Sequence, residues 1–186
     1  MRFKSNYFKL FLKFNKVKYG KNLNLIGLPV IYKFKNAKII IGDSCIIRSS
    51  FLSNLIGLYQ KTIIVARDNS TVQIGNNVGM SGVTIYARKS IFIGDNCTIG
   101  ANVKILDNDF HPIDPVARLN NDESFIKSKE IVIGNNVFIG GNAIILKGTR
   151  IGDNSVIGAG SVVSGEFGCD VIIAGNPGKL IKKIGE

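Results

Sequence analysis

One six-residue phrase recurs along this chain: an apolar residue, a glycine, two polar residues, a small or β-branched residue, and a variable sixth. It is cleanest at Ile133-Gly134-Asn135-Asn136-Val137-Phe138, Ile139-Gly140-Gly141-Asn142-Ala143-Ile144 and Ile151-Gly152-Asp153-Asn154-Ser155-Val156. From Ile133 the apolar position returns at 139, 145, 151, 157 and 163 without a slip, and Ile93, Ile99 and Ile105 keep the same rhythm earlier. A six-residue period sustained in this way specifies a parallel β-helix.

Each position has a physical task. Six residues at about 3.3 Å each give one flat side of roughly 20 Å, and three sides close a triangular prism. The leading Ile points inward and stacks on its copies in neighbouring coils. The fifth residue points inward near a corner and must be slim. After the Ile-Gly pairs at 41, 74, 93, 99, 133, 139, 151 and 157 it is Cys45, Val78, Cys97, Val103, Val137, Ala143, Ser155 and Ser161. Gly, Asn and Asp at the corners suit turns that need positive φ or a side chain bonding its own backbone.

The length of 186 residues suits one domain, and a solenoid buries its core between coils. Cys45, Cys97 and Cys169 are odd in number, and two hold inward repeat positions, so they read as small core residues in a reducing compartment. No apolar run reaches the eighteen or so residues of a membrane span, and lysines interrupt the start too often for a secretory signal. A cytoplasmic location is expected.

The net charge of +11 is uneven: ten basic residues, from Arg2 to Lys38, precede the first acidic one, Asp43. Within residues 1–22, Phe3, Tyr7, Leu10, Phe11 and Phe14 share one helical face, Lys4, Lys9, Lys13 and Lys16 lie off it, and Gly20 is the expected stop. Such an arm either caps the open prism with its aromatic face or lies on anionic lipid as a peripheral contact. No base-reading module is recognisable, so nucleic acid is not an expected partner. The β-helix is expected over 23–173, followed by a basic C-terminal tail over 174–186.

The repeat is broken twice. Between Ile74 and Ile93 one extra residue predicts a bulge near Met80-Ser81-Gly82. Between Ile105 and Ile133 the gap is twenty-eight, so residues 107–129 must leave the prism as a long loop, and loops of that length are usually functional. It contains the chain's one histidine, His111, among Asp107, Asp109 and Asp114, any of which could fix its tautomer. An imidazole with an ordinary pKa near 6.5 suits taking a proton from a hydroxyl at neutral pH.

The hexapeptide rows, the His111-Pro112-Ile113-Asp114-Pro115 segment, the Ile133 to Gly140 row and the ending Ala174-Gly175-Asn176-Pro177 resemble the left-handed β-helix acetyltransferases, nearest to the galactoside, maltose and polysaccharide-type O-acetyltransferases. The resemblance covers residue 39 to the end. It implies an all-β, left-handed parallel β-helix, against the usual crossover hand, assembled as a homotrimer with acetyl-CoA bound between neighbouring prisms and no metal required. It implies His111 as general base and the backbone at Gly141 as oxyanion and pantetheine contact. It places Ala159 and Ser164 along the coenzyme arm, and Lys179 and Lys182 near its phosphates. Phe138 stands where an aromatic lines the acceptor mouth. The chain departs from its sugar-binding relatives at two acceptor positions, where it has Ser81 for their asparagine and Ala87 or Arg88 for their aspartate.

The implied chemistry is direct transfer in a ternary complex. His111 takes the acceptor hydroxyl's proton during attack on the thioester, and an N–H near Gly141 steadies the oxyanion. No motif supplies a nucleophile for an acyl-enzyme. The expected acceptor is a sugar of a surface polysaccharide or its lipid-linked precursor. N-acetylation of an aminosugar or sugar nucleotide is the enzymatic alternative, and a non-catalytic β-helix scaffold the other. A zinc carbonic anhydrase on this prism would need three histidine ligands, more than one per chain supplies.

Overall fold

A computed structural model describes the chain from residue 2 to residue 186, with side chains from residue 8. Three sheets wall a prism. The first holds Lys18–Tyr19, Lys38–Ile41, Thr71–Ile74, Ser90–Ile93, Ile131–Ile133, Arg150–Ile151 and Glu166–Phe167. The second holds Asn24–Gly27, Ile46–Ser49, Gly79–Ser81, Thr98–Ile99, Phe138–Ile139, Val156–Ile157 and Val171–Ala174, and the third Val30–Lys33, Ile63–Ala66, Thr84–Ala87, Lys104–Leu106, Ile144–Leu146 and Val162–Val163. The chain visits the faces in that order, so neighbours within a face are one coil away and parallel, save an eighth strand, Lys179–Lys183, that closes the second face antiparallel.

The leading residues form three inward columns. Ile41, Ile74, Ile93, Ile133 and Ile151 stack in the first face. Met80, Ile99, Ile139, Ile157 and Ile173 stack in the second, and Ile64, Ile85, Ile105, Ile145 and Val163 in the third. Each is at most 3 % exposed. The corners explain the other repeat positions. A Cβ on Gly134 would collide with Asp153 Oδ1 of the next coil, and the fourth residue takes positive φ at Asn77, Asn96, Asn136 and Asn154, a conformation Asn tolerates well. The slim fifth residue tolerates polarity because it reaches a glycine carbonyl one coil on: Cys97 Sγ donates to Gly134 O at 3.1 Å and Ser155 Oγ to Gly168 O at 3.1 Å. Burial raises both inward thiols above their ordinary pKa, which suits inert packing groups.

Four expectations need correction. The register runs unbroken through Gly79–Ser81, so no bulge lies at Met80-Ser81-Gly82. That corner is one residue short, turning at Gly82 with φ +59, and the surplus falls at Arg88-Lys89, where the third face leads to the first. The helix Arg2–Phe14 ends before Gly20: Lys16 takes φ +55, and Val17 N bonds back to Leu12 O. Gly20 instead starts the first prism corner, where a Cβ would strike Asp43. The helix does cap the prism, but with Leu12, fully buried, and the partly buried Phe8. Leu10, Phe11 and Phe14, expected on the capping face, are 65 %, 47 % and 87 % exposed; Phe3, Lys4 and Tyr7 lie outside the described side chains. Finally, the C-terminal tail is not free, because Lys179–Lys183 returns antiparallel on Val171–Ala174.

A feature not expected from the sequence is a second excursion, residues 50–62, between the second and third faces of an early coil. Its signal was the thirty-three-residue gap between Ile41 and Ile74, which is not a whole number of coils.

Candidate functional site

The edge joining the third face to the first carries the histidine loop. Its two ends pair at the root, with Lys129 N donating to Asp107 O at 2.9 Å and Asp109 N to Lys127 O at 3.1 Å. Asp107 is fully buried and accepts from the amides of Arg88 and Lys89, both at 2.7 Å. Burial pushes its carboxyl up from the ordinary value, against the pull of those amides and of Asn108. Asp109 pairs with Lys147 one coil on, and its Oδ2 is buried with no partner among the described residues. Asp114 caps the short helix Pro115–Leu119 by accepting from Ala117 N at 2.8 Å.

Each of the three carboxylates that could have oriented the imidazole therefore holds backbone or a lysine. No side chain among the described residues hydrogen-bonds the His111 imidazole. What aims the histidine is the turn before it. His111 N donates to Asp109 O at 2.7 Å across Phe110, whose φ is +60, the three-residue bond of a γ-turn with positive central φ, rare and strained for a bulky residue. The turn is held from three sides: Phe110 N donates to buried Asn108 Oδ1 at 2.9 Å, the Phe110 ring lies 4.9 Å from that of Tyr86, and Lys147 grips Asp109. His111 itself is exposed. Downstream, Arg118 Nη1 donates to Pro112 O and Ile113 O.

The sequence-derived candidates divide between this edge and its neighbour. Arg88, Asp107 and Ser164 descend the third-to-first edge, each just past a third-face strand, with Lys147, which the sequence did not single out, between the last two. Ser81, Gly141 and Ala159 descend the second-to-third edge, linked through Asn102 N to Ser81 O, Asn142 N to Ala101 O and Gly160 N to Gly141 O. At Gly141 an added Cβ would press on the backbone, meeting Ala101 O at 3.3 Å and Ala101 N at 3.6 Å. Phe138 points out of the second face, 47 % exposed, and Lys179 and Lys182 are exposed on its last strand. One full face, roughly 20 Å wide, separates the His111 edge from the Gly141 edge within a single chain.

Two acceptor candidates have other attachments. Ser81 is 5 % exposed and its hydroxyl accepts from Asn54 Nδ2 at 3.2 Å, so it latches the 50–62 excursion. Arg88 pairs with Glu123 of the histidine loop at 3.3 Å.

Comparison with known proteins places these edges in context. Residues 130–165 match the bacterial transferase hexapeptide family of six repeats, and residues 68–106 the hexapeptide repeat of succinyl-transferase. Galactoside O-acetyltransferase of Escherichia coli is 40% identical over 63% of this chain and 56% of its own length. An acetyltransferase-family protein of Dictyostelium discoideum is 36% identical over 83% of this chain and 80% of its own. Among solved structures, a galactoside acetyltransferase in complex with coenzyme A superposes with TM-score 0.55 at 30% identity, covering 89% of this chain and 64% of that one. The polysialic-acid-specific acetyltransferase NeuO gives 0.61 at 26%, covering 90% and 85%. These neighbours are left-handed parallel β-helices: the repeat predicts the parallel β-helix, and the resemblance implies its hand. The chain spans 56% to 63% of the length of the first curated relatives it matches.

Proposed function

The chain belongs to the hexapeptide-repeat acetyltransferases, and from that premise we propose that it moves acetyl from acetyl-CoA to a sugar hydroxyl. The proposed acceptor belongs to a surface polysaccharide or its lipid-linked precursor, and the proposed location is the cytoplasm, at the inner face of the membrane. A lipopolysaccharide-biosynthesis O-acetyltransferase homologue of Escherichia coli, 35% identical over 67% of this chain and 63% of its own length, supports that acceptor class.

The observation that carries the reading is the division of the candidate residues between two edges. His111 cannot serve a thioester resting at its own chain's Gly141 across a whole face. It can serve one on an adjoining copy, provided the His111 edge of one prism meets the Gly141 edge of the next. Such an edge-to-edge contact is heterologous and closes as a ring, here the proposed homotrimer. In that arrangement His111 takes the hydroxyl proton as the oxygen attacks the thioester carbonyl, the partner's Gly141 N–H faces the developing oxyanion, and the thiol of coenzyme A leaves. Ala159 and Ser164 would flank the pantetheine, Lys179 and Lys182 would meet the phosphates, and Phe138 would line the acceptor mouth. Ser81 and Arg88 act at one remove, each fixing a loop.

Mixed assemblies test this directly. His111→Ala and Gly141→Val should each be inactive alone, the valine by blocking the donor, with circular dichroism and light scattering showing that each still folds and assembles. Refolded together in equal amounts, random trimers should recover about a quarter of wild-type activity, because every mixed ring contains one intact edge pair out of three. No recovery would mean that both residues act within one chain.

A further inference from the structure

The 50–62 excursion is a built loop that points apolar side chains at water. Phe51, Leu52, Leu55 and Ile56 are 63 %, 81 %, 86 % and 74 % exposed. They do not hang from a slack tether. Asn102, itself buried, donates to Gly57 O at 2.9 Å and accepts from Tyr59 N at 3.3 Å; Gln60 Nε2 reaches Gly82 O and Thr84 Oγ1, both at 2.8 Å; and Leu58 is buried beneath. A polar clasp this complete, used to hold four large apolar groups outward, calls for something apolar to receive them.

The charge around the loop says what. Residues 1–67 carry thirteen Lys or Arg and one acidic residue, Asp43, whereas residues 68–186 carry eleven basic and twelve acidic. The whole positive excess of the protein therefore lies in the helix and the early coils that bear the loop, with Arg48 just before it and Lys61 at its end. A second copy of the same surface would be repelled by it. Apolar side chains carried on the basic part of the chain match anionic lipid, where the apolar groups enter the acyl boundary and the cations stay among the headgroups.

We propose that residues 50–61, together with the basic early coils, form a membrane-docking surface for anionic lipid. This deepens the placement at the membrane proposed above and assigns it to a surface other than the N-terminal helix alone. The loop leaves the prism three coils before Gly141, on the basic early end, so docking through that end would bring the Ser81 corner toward the lipid face and a lipid-linked acceptor while leaving the contact between prisms intact. A threefold assembly would present three such loops at one height, so weak single contacts would multiply.

The test uses full-length protein with vesicles of phosphatidylcholine and of phosphatidylcholine mixed with phosphatidylglycerol. Wild type should sediment with the mixed vesicles and remain in solution with the neutral ones. The triple variant Leu52→Ser, Leu55→Ser, Ile56→Ser, all exposed and outside the clasp, should lose at least about tenfold in partitioning, with melting temperature and light-scattering mass unchanged. Wild type that ignores anionic vesicles, or a variant that still binds them, overturns the proposal. So does a variant with altered mass, which would make the loop a contact between copies. Thermal protection of the same samples by acetyl-CoA reads the enzymatic proposal separately: its absence would remove that function and leave the lipid surface standing.

Discussion

The two excursions from the prism solve opposite problems. Residues 50–62 leave one edge and are clasped by neutral hydrogen bonds so that four apolar side chains face outward. Residues 107–129 leave the next edge and are clasped by carboxylates, Asp107 on two amides and Asp109 on Lys147, so that one imidazole faces outward. The first clasp is locally unstrained apart from Asn102, which tolerates its φ of +61, whereas the second ends in a phenylalanine at φ +60. Strain at the residue beside the candidate base, and its absence where only a surface is displayed, separates a loop that must aim one group from a loop that must merely present several.

Removing the aimed group should give the largest effect. His111→Ala should lower kcat by roughly 10²- to 10⁴-fold with donor KM little changed, and near-normal turnover would move the base elsewhere. Breaking the neutral clasp comes next. Asn102→Gly keeps the positive φ but deletes both bonds to the loop, leaving Gly57 O and Tyr59 N without that partner. It should lower the melting temperature by roughly 5 °C while leaving turnover on a soluble acceptor near wild type. A matching loss of turnover would show that the 50–62 loop also handles the acceptor.

The strained turn should respond differently. Phe110→Gly adopts positive φ freely and loses the contact with Tyr86, so the fold gains local ease while His111 loses its aim. We expect kcat to fall roughly tenfold or more, donor KM to hold and the melting temperature to change little. A fall in stability without a fall in kcat would reduce the turn to packing.

How far the sequence reveals this depends on what kind of information each part uses. From Ile131 to Val163 one coil follows another without interruption, so the period alone identifies every inward residue. The early coils were obscured because two corners there run long, with ten residues from Ile31 to Ile41 and again from Ile64 to Ile74, which hides the phase. The histidine loop was legible as a gap holding a distinctive residue, but the 50–62 loop has ordinary core-like residues and lay inside a gap shared with a long corner. The helix face was misread because 3.6-residue spacing identifies which residues share a side, not which side meets the prism; Leu12 stood among lysines and an exposed phenylalanine. The edge assignment of Ser81, Gly141, Arg88 and Ser164 needed the closed prism, since sequence spacing does not say which corners face the same neighbour.

The smallest expected effect concerns the charge inside the second clasp. Burial raises the Asp107 carboxyl above its reference value of 3.8 despite the amides that favour its ionised form. Between that value and the raised native one, the folded state binds more protons than the unfolded state, so this group's contribution to stability falls as pH rises through the window. Asp107→Asn imitates the protonated form at every pH, with one oxygen to accept and no charge to bury. The melting temperature of wild type relative to Asp107→Asn should thus be highest at acid pH and decline as pH passes upward through the window, by about 2–4 °C for each kcal/mol in a chain of this size. A relative stability that rises with pH would mean that the Arg88 and Lys89 amides outweigh burial. The root of the histidine loop would then be held by charge as the 50–62 loop is held by neutral bonds, with nothing lost by burying it.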